Sequence, residues 1–244
     1  VHWRLQHLHG VATRKQLMLA SAFSLGIHAG LRASEVINLT LKNIVVEGNE
    51  AYLYIPRGKT RNSRRQLWLH ALLPRKELET LVEYVSLRSG ERGQGYRLDQ
   101  FYLFGAEDSH EPLGRRLVID ELIPKMSNVL GRTVDFHLLR HSFCSWLLAQ
   151  AYLMENQSIG DQLGVIDHRL TDPASLASLA RYLKYVQPLS QKNASTQPDI
   201  WNRVAMVMGH SSPLTLMTTY AHTLGPIQSI FLGKTSEWVR RDRL

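Results

Sequence analysis

The chain has 244 residues, 44% hydrophobic and 20% charged, a composition that builds a folded core and excludes a disordered polypeptide. Twenty-nine Lys and Arg against 21 Asp and Glu give a net charge of +8 and an isoelectric point near 9.7, which favours a polyanionic partner. The single cysteine, Cys144, excludes an intrachain disulfide and a Cys-rich zinc site, and the most apolar stretch, Leu17–Ile27, is broken by Ser21, Ser24 and Gly26 before it reaches membrane-spanning length.

In chain order, Val1-His2-Trp3-Arg4 does not read as a secretory leader, and together with the cysteine usage this predicts a cytoplasmic protein. Thr13–Ala29 is predicted as a helix, with Thr13 as N-cap, Leu17, Ala20, Phe23, Ser24 and Ile27 on one face, and Gly30 as its end. Arg32–Leu41 reads as a second helix with Val36, Leu39 and Thr40 turned inward. The period then changes: Ile44–Val46, Tyr52–Ile55 and Gln66–His70 read as three antiparallel strands, the first two joined at Gly48-Asn49.

From Leu73 the pattern is helical again. Pro74 suits a helix start ahead of the stripe Leu78, Leu81, Val82 and Val85, and Leu117–Leu130 forms a helix disturbed at Pro124. His137–Gln150 is amphipathic, with Leu139, Phe143, Trp146, Leu147 and Gln150 along one side. A helix is expected around Leu176–Val186, then a polar linker at Ser190–Pro198, a helical stretch leading into Gly209-His210, a helix from Leu214, and an amphipathic tail using Ile227, Ile230, Phe231 and Trp238.

Basic charge is localised. Arg57–Arg65 reads RGKTRNSRR, five basic residues in nine with no acid, on the connection between the second and third strands. Between Met154 and Trp201 the balance is instead −1, from Arg169, Arg181, Lys184 and Lys192 against Glu155, Asp161, Asp167, Asp172 and Asp199. Phosphate binding is therefore expected on the first segment and not on the second.

Four pieces carry chemistry: GLRASEVINL (Gly30–Leu39), RGKTRNSRR, HLLRHSF (His137–Phe143) and MGHSSPLTLMTTYAH (Met208–His222). Taken singly each has an ordinary reading: a surface arginine, a solvated hairpin, an i, i+3 surface pair, a histidine near a helix cap. His137 and His141 have i, i+4 metal-ligand spacing, but no carboxylate of the HExxH type accompanies them. In order, however, an arginine in G-L-R-x-S-E, a hairpin lysine, H-x-L-R-H-S-F, and G-H-S-S-P followed by a tyrosine in T-Y-x-H resemble the catalytic set of the tyrosine recombinase (phage integrase) family. The resemblance covers Thr13 to about Leu153 and Trp201 to about Leu224.

The resemblance implies a mainly α-helical catalytic domain with a small three-stranded antiparallel sheet, acting as a site-specific DNA recombinase through a covalent 3′-phosphotyrosyl link. It implies that Arg32 and Arg140 hold the scissile phosphate, where a guanidinium fork suits a charge developing on non-bridging oxygens. His210 is a further donor to the same oxygens, Tyr220 the nucleophile, and Lys59 the general acid toward the leaving 5′-oxygen. His137 assists deprotonation of Tyr220 or positions it. Glu35 orients the arginines, its plain alternative being a solvated helix carboxylate. Arg57, Arg61, Arg64 and Arg65 are expected to hold DNA phosphates rather than read bases. No cofactor and no metal ligand set is expected. The expected partner is double-stranded DNA with inverted-repeat sites, bound by a homotetramer linked through the C-terminal tail, or with that tail packed on the chain's own core.

Two features depart from the family pattern. Family members carry a separate N-terminal helical domain, whereas only twelve residues precede the first predicted helix here, so the expectation is a catalytic-domain fragment, at 1–153 and 201–244, with that domain absent from it. His210 lies 70 positions after Arg140, and the excess maps to 154–200, read as an insertion that is either plain surface or a protein-contact element. The rival functions are a type IB topoisomerase-like relaxing enzyme and a DNA-binding regulator without catalysis. All six expected chemical positions are filled, which weighs against the regulator. A membrane-surface protein is further off, since no predicted helix joins a basic face to a strong apolar one.

Overall fold

Thr13 and Gly30 bracket the first helix of the computed structural model as the sequence predicts. The structure describes residues 12–56, 64–92, 95–155, 172–186, 199–210, 212–214 and 216. Helix α1 (Arg14–Ala29) opens with a reciprocal cap in which the Gln16 amide N–H donates to Thr13 Oγ1 and the Thr13 N–H to Gln16 Oε1. It ends at Gly30 in the left-handed region, φ 65°. Because α1 lies against several helices it buries Leu17, Met18, Ala22, Leu25 and Ala29, a wider set than the single predicted stripe.

The second predicted helix is much shorter. Helix α2 spans Ala33–Ile37, and a 3-10 turn at Leu41–Asn43 follows. Between them the backbone is claimed by a distant segment: the Leu103 N–H donates to the Leu39 carbonyl at 2.8 Å and the Leu41 N–H to the Phe101 carbonyl at 2.9 Å. Those groups are therefore unavailable to a helix. Val36 and Leu39 are nonetheless buried as expected, with Thr40 half-buried.

Strands β1 (Ile44–Glu47), β2 (Glu50–Ile55) and β3 (Arg65–Trp68) form an antiparallel sheet in the order β1-β2-β3. The register pairs Ile44 with Leu53, Leu53 with Leu67, and Ile55 with Arg65. Ala51, Leu53, Ile55, Arg65 and Leu67 face the core. The third strand stops at Trp68, short of the predicted His70. Leu69, Ala71 and Leu72 are all buried, and a single helical turn, α3 (Leu69–Leu72), places them together where an alternating strand could not.

Helix α4 (Arg75–Glu91) starts at Pro74 and buries Leu81, Tyr84 and Arg88; Leu78, Val82 and Val85 of the predicted stripe lie at its margin. Arg88 is wholly buried. Its guanidinium donates to the carbonyls of Tyr102, Leu103, Ala106 and Ser109, pairs with Glu91, and lies 4.4 Å from the Phe101 ring centroid. It thereby braces the irregular stretch that reaches back to Leu39.

Helix α5 (Arg115–Leu130) continues through Pro124, and α6 (His137–Glu155) runs five residues past its predicted end. Leu139, Phe143 and Leu147 of α6 are buried, while Trp146 stands exposed. Helix α1 packs against α4, α5 and α6.

Helices α7 (Pro173–Tyr185) and α8 (Ile200–Val207) are capped by Asp172 and Asp199. Helix α7 lies inside the segment read as an insertion, yet it is built into the core. Leu179, Tyr182 and Leu183 are buried, Tyr182 Oη donates to the Gln66 carbonyl at 2.9 Å, and Arg203 of α8 donates to the Leu183 and Lys184 carbonyls. The described part of 154–200 thus covers β3 and holds α8 in place. No helix among the described residues is long and apolar enough to cross a membrane.

Candidate active site

Two helix ends and one helix interior bring the site together. At the first end, Gly30 turns the chain off α1 and Leu31 is buried, which leaves Arg32 with extended backbone ahead of α2. Gly30 is required there twice over: its φ is left-handed, and a Cβ would come within 2.3 Å of Phe143 Cδ1. One turn on, Glu35 reaches back. Its Oε2 accepts from the Arg32 amide N–H and its Oε1 from Arg32 Nη1, both at 2.9 Å.

Arg65 completes this pairing. From the start of β3 its Nη1 donates to Glu35 Oε1 at 3.1 Å and its Nη2 to Oε2 at 2.9 Å, a two-pronged ion pair whose side chains are 5% and 3% exposed. Burial alone would raise the Glu35 carboxyl. The hydrogen bonds and charge of Arg65, followed by those of Arg32, outweigh it and hold the group at about 2. Arg32, at 28% exposure, is the member of the cluster open to solvent.

At the second end, α8 closes with Gly209 at φ 69°, the Gly209 N–H bonding to the Met206 carbonyl at 2.9 Å and the His210 N–H to the Ala205 carbonyl at 2.8 Å. This turn aims His210 at Arg140. Arg140, in the first turns of α6 and fully buried, donates from Nη1 to the Gly30 carbonyl and from Nη2 to the Met208 carbonyl, so one guanidinium ties both helix-end turns. Its Nη2 also lies 3.4 Å from His210 Nε2. A guanidinium only donates, so His210 Nε2 accepts and the ring proton sits on Nδ1. Burial, then the charges of Arg140, Arg32 and Arg65, push His210 down to about 4. Its imidazole is therefore neutral at neutral pH.

His137 stands exposed at the start of α6, edge-on to His141 with ring centroids 4.8 Å apart. Burial and the neighbouring charges of His141 and Arg140 lower its pKa, against an opposing pull from Asp135. Among the described residues no group of three or more His, Cys, Asp or Glu side chains is placed to hold a metal ion. Burial pushes the Cys144 thiol up to about 12, which leaves it unreactive near the site.

Arg32 with its neighbour Glu35, Arg140 and His210, drawn from three distant parts of the sequence, thus converge. Arg64 is exposed just before β3. Lys59, Arg57, Arg61 and Tyr220, and the tail residues Ile227, Ile230, Phe231 and Trp238, lie outside the described residues. One expectation needs correction. Arg65 is not a phosphate-holding surface cation: the strand alternation that buries Leu67 also turns Arg65 inward, onto Glu35. That signal was present in the alternation of Arg65, Gln66 and Leu67, but the basic run concealed it. Arg140 lies deep in the site, with Nη1 directed to the Gly30 carbonyl and Nη2 to the Met208 carbonyl. What the arrangement offers is a concentration of fixed positive charge with one partly open guanidinium and one imidazole N–H, which suits an oxyanion.

A model of the family described as the phage integrase family matches residues 5–164, a span that includes Arg32, Lys59, His137 and Arg140 and ends before His210 and Tyr220. Among solved structures, the chain is similar to the XerH site-specific recombinase bound to difH substrate in a pre-cleavage complex. Identity is 17% over 91% of this chain and 47% of that one, with a TM-score of 0.48. It is also similar to the XerA recombinase, with 15% identity over 93% of this chain and 65% of that one and a TM-score of 0.49. The chain spans about half the length of the XerH chain it matches. No curated protein matches it.

Proposed function

The chain belongs to the phage integrase family, and on that premise we propose that it is a site-specific recombinase that breaks and rejoins DNA through a phosphotyrosyl intermediate. The observation that carries this reading is the convergence of Arg32, Arg140 and His210 through the two helix-end turns at Gly30 and Gly209. In the proposed step Tyr220 Oη attacks the scissile phosphorus, and the bond from phosphorus to the 5′-oxygen breaks. Lys59 gives a proton to that oxygen, and the phenolic proton of Tyr220 passes to the neutral His137. Arg32 and the Nδ1–H of His210 donate to the non-bridging oxygens, while Arg140 adds its fixed charge from behind and keeps both turns in place. Rejoining is the same step reversed with the 5′-hydroxyl of a second strand. The bond energy is retained in the protein–DNA link, so strand exchange proceeds without ATP.

The exposed Arg64, with Arg57 and Arg61, serves DNA backbone contact, in keeping with the localised basic charge. The proposed partner is duplex DNA with inverted repeats, held by four copies of the chain joined through their tails, with action at the nucleoid. Strand exchange between two labelled duplexes that carry candidate inverted repeats tests this. Recombinant product that depends on both sites is expected. Relaxation of a supercoiled plasmid without such sites, and without exchange, would instead make the protein a type IB topoisomerase-like enzyme. Binding without either reaction would make it a regulator.

A further inference from the structure

The buried cluster at Arg32 holds one cation more than phosphate contact uses. Arg65 and Glu35 are almost wholly enclosed, and both prongs of the Arg65 guanidinium are engaged on the carboxylate. Each Glu35 oxygen is shared: Oε1 accepts from the side chains of both arginines, and Oε2 from the Arg32 main chain and Arg65 Nη2. Without Arg65, the Arg32 guanidinium would face an undivided carboxylate charge at 2.9 Å, and its attraction for a phosphate would be largely cancelled in this low-dielectric setting. With Arg65 present the three groups carry one net positive charge, and the member open to solvent is Arg32.

A second relationship points the same way. Arg65 pairs with Ile55 across the sheet, so it closes the base of the connection that contains Lys59. Its ion pair fastens that base to the turn that carries Arg32. Stability alone is a weak reason for such a cluster, since a buried ion pair gains little over well-packed apolar side chains.

We propose that Arg65 is a positioning residue for the phosphate site, acting through Glu35 to fix Arg32 and to leave its charge available to a DNA phosphate. The proposal rests on the recombinase reading above. The test is the first-order rate of covalent adduct formation on a saturating nicked duplex, with dissociation constants and melting temperatures measured in parallel, for the wild type, R65M, R65K and R65M/E35Q. R65M is expected to slow cleavage about 100-fold, as loss of a transition-state donor does, while DNA affinity and the folded state at the assay temperature are retained. R65M/E35Q is expected to recover to within about tenfold of the wild type, because the carboxylate charge leaves together with its partner. R65K, which keeps the charge and loses the fork, is expected to be about tenfold slower than the wild type. Should R65M melt below the assay temperature, the R65K rate decides.

A lower melting temperature with an unchanged rate at a temperature where the variant is folded would overturn the proposal and leave Arg65 a structural residue. A double variant no faster than R65M would also overturn it. A wild-type chain that forms no adduct overturns the recombinase reading, and this proposal with it, and that outcome is told apart by the wild-type lane alone.

Discussion

His210 turns its Nε2 toward Arg140 Nη2 at 3.4 Å, and the same guanidinium holds the carbonyls of Gly30 and Met208. The first relationship sets the imidazole's tautomer; the second sets where the imidazole stands relative to Arg32. Through Arg140, two turns far apart in the sequence act as one support, with Arg32 following the first turn and His210 the second.

This relationship fixes a titration. In the free protein, His210 is expected to titrate with a midpoint near 4 and to carry its proton on Nδ1. Its ordinary value is 6.5, so as pH falls from 6.5 toward 4 the unfolded chain binds a proton that the folded chain refuses, and stability declines across that window. Nitrogen-15 NMR of the imidazole checks both the midpoint and the tautomer. A midpoint near 6.5, or an Nε2–H tautomer, would separate His210 from Arg140.

Glu35 behaves with the opposite charge and the same sign of pH dependence. Its folded value of about 2 lies below the ordinary 4.5, so the stability it contributes is complete above 4.5 and is lost as pH falls through about 2. The shift corresponds to about 3 kcal/mol. Acid unfolding followed by circular dichroism is expected to show this slope in the wild type and to lose it in Glu35→Gln, which at neutral pH is itself less stable because Arg65 is left buried without its counter-charge.

Gly30 and Gly48 make a matched pair. Both are left-handed, at φ 65° and 58°, but only Gly30 lacks room, since a Cβ at Gly48 meets nothing within 4 Å. Gly48→Ala is expected to cost about 1 kcal/mol, the backbone penalty alone. Gly30→Ala adds overpacking against Phe143 and is expected to cost about 2–4 kcal/mol in total. It should also displace Arg32, so that cleavage falls further than stability does. Urea unfolding of both variants measures the difference.

Much of this architecture was legible in the sequence because the signals are local. Thr13 and Gly30 mark α1, the change of period marks the sheet, and Pro74 marks α4. The shortened α2 was not legible, because what ends it is hydrogen bonding to the Phe101 carbonyl and from the Leu103 N–H, which no local pattern encodes. Arg88 gave no signal at all: a buried arginine on a helix reads as a surface charge until the four carbonyls around it are known. In the site, the motifs singled out Arg32, Arg140 and His210 among others, and the structure adds how these three are supported. Arg65 was read from its place in the basic run as a phosphate ligand, whereas its strand face turns it to the protein's own carboxylate. Helix α7 lies in the segment read as an insertion from its charge and spacing, and its packing through Leu179, Tyr182 and Leu183 into the core was not legible there.

The account turns on Tyr220 as the nucleophile at the site assembled by Arg32, Arg140 and His210. The most direct measurement is covalent trapping on a nicked suicide duplex bearing candidate inverted repeats, resolved under denaturing conditions, with the wild type beside Tyr220→Phe. The account predicts a denaturant-resistant adduct joined at the DNA 3′-phosphate in the wild type and none in the Phe variant. An adduct that persists in Tyr220→Phe, or DNA bound by the wild type without any adduct, would contradict it.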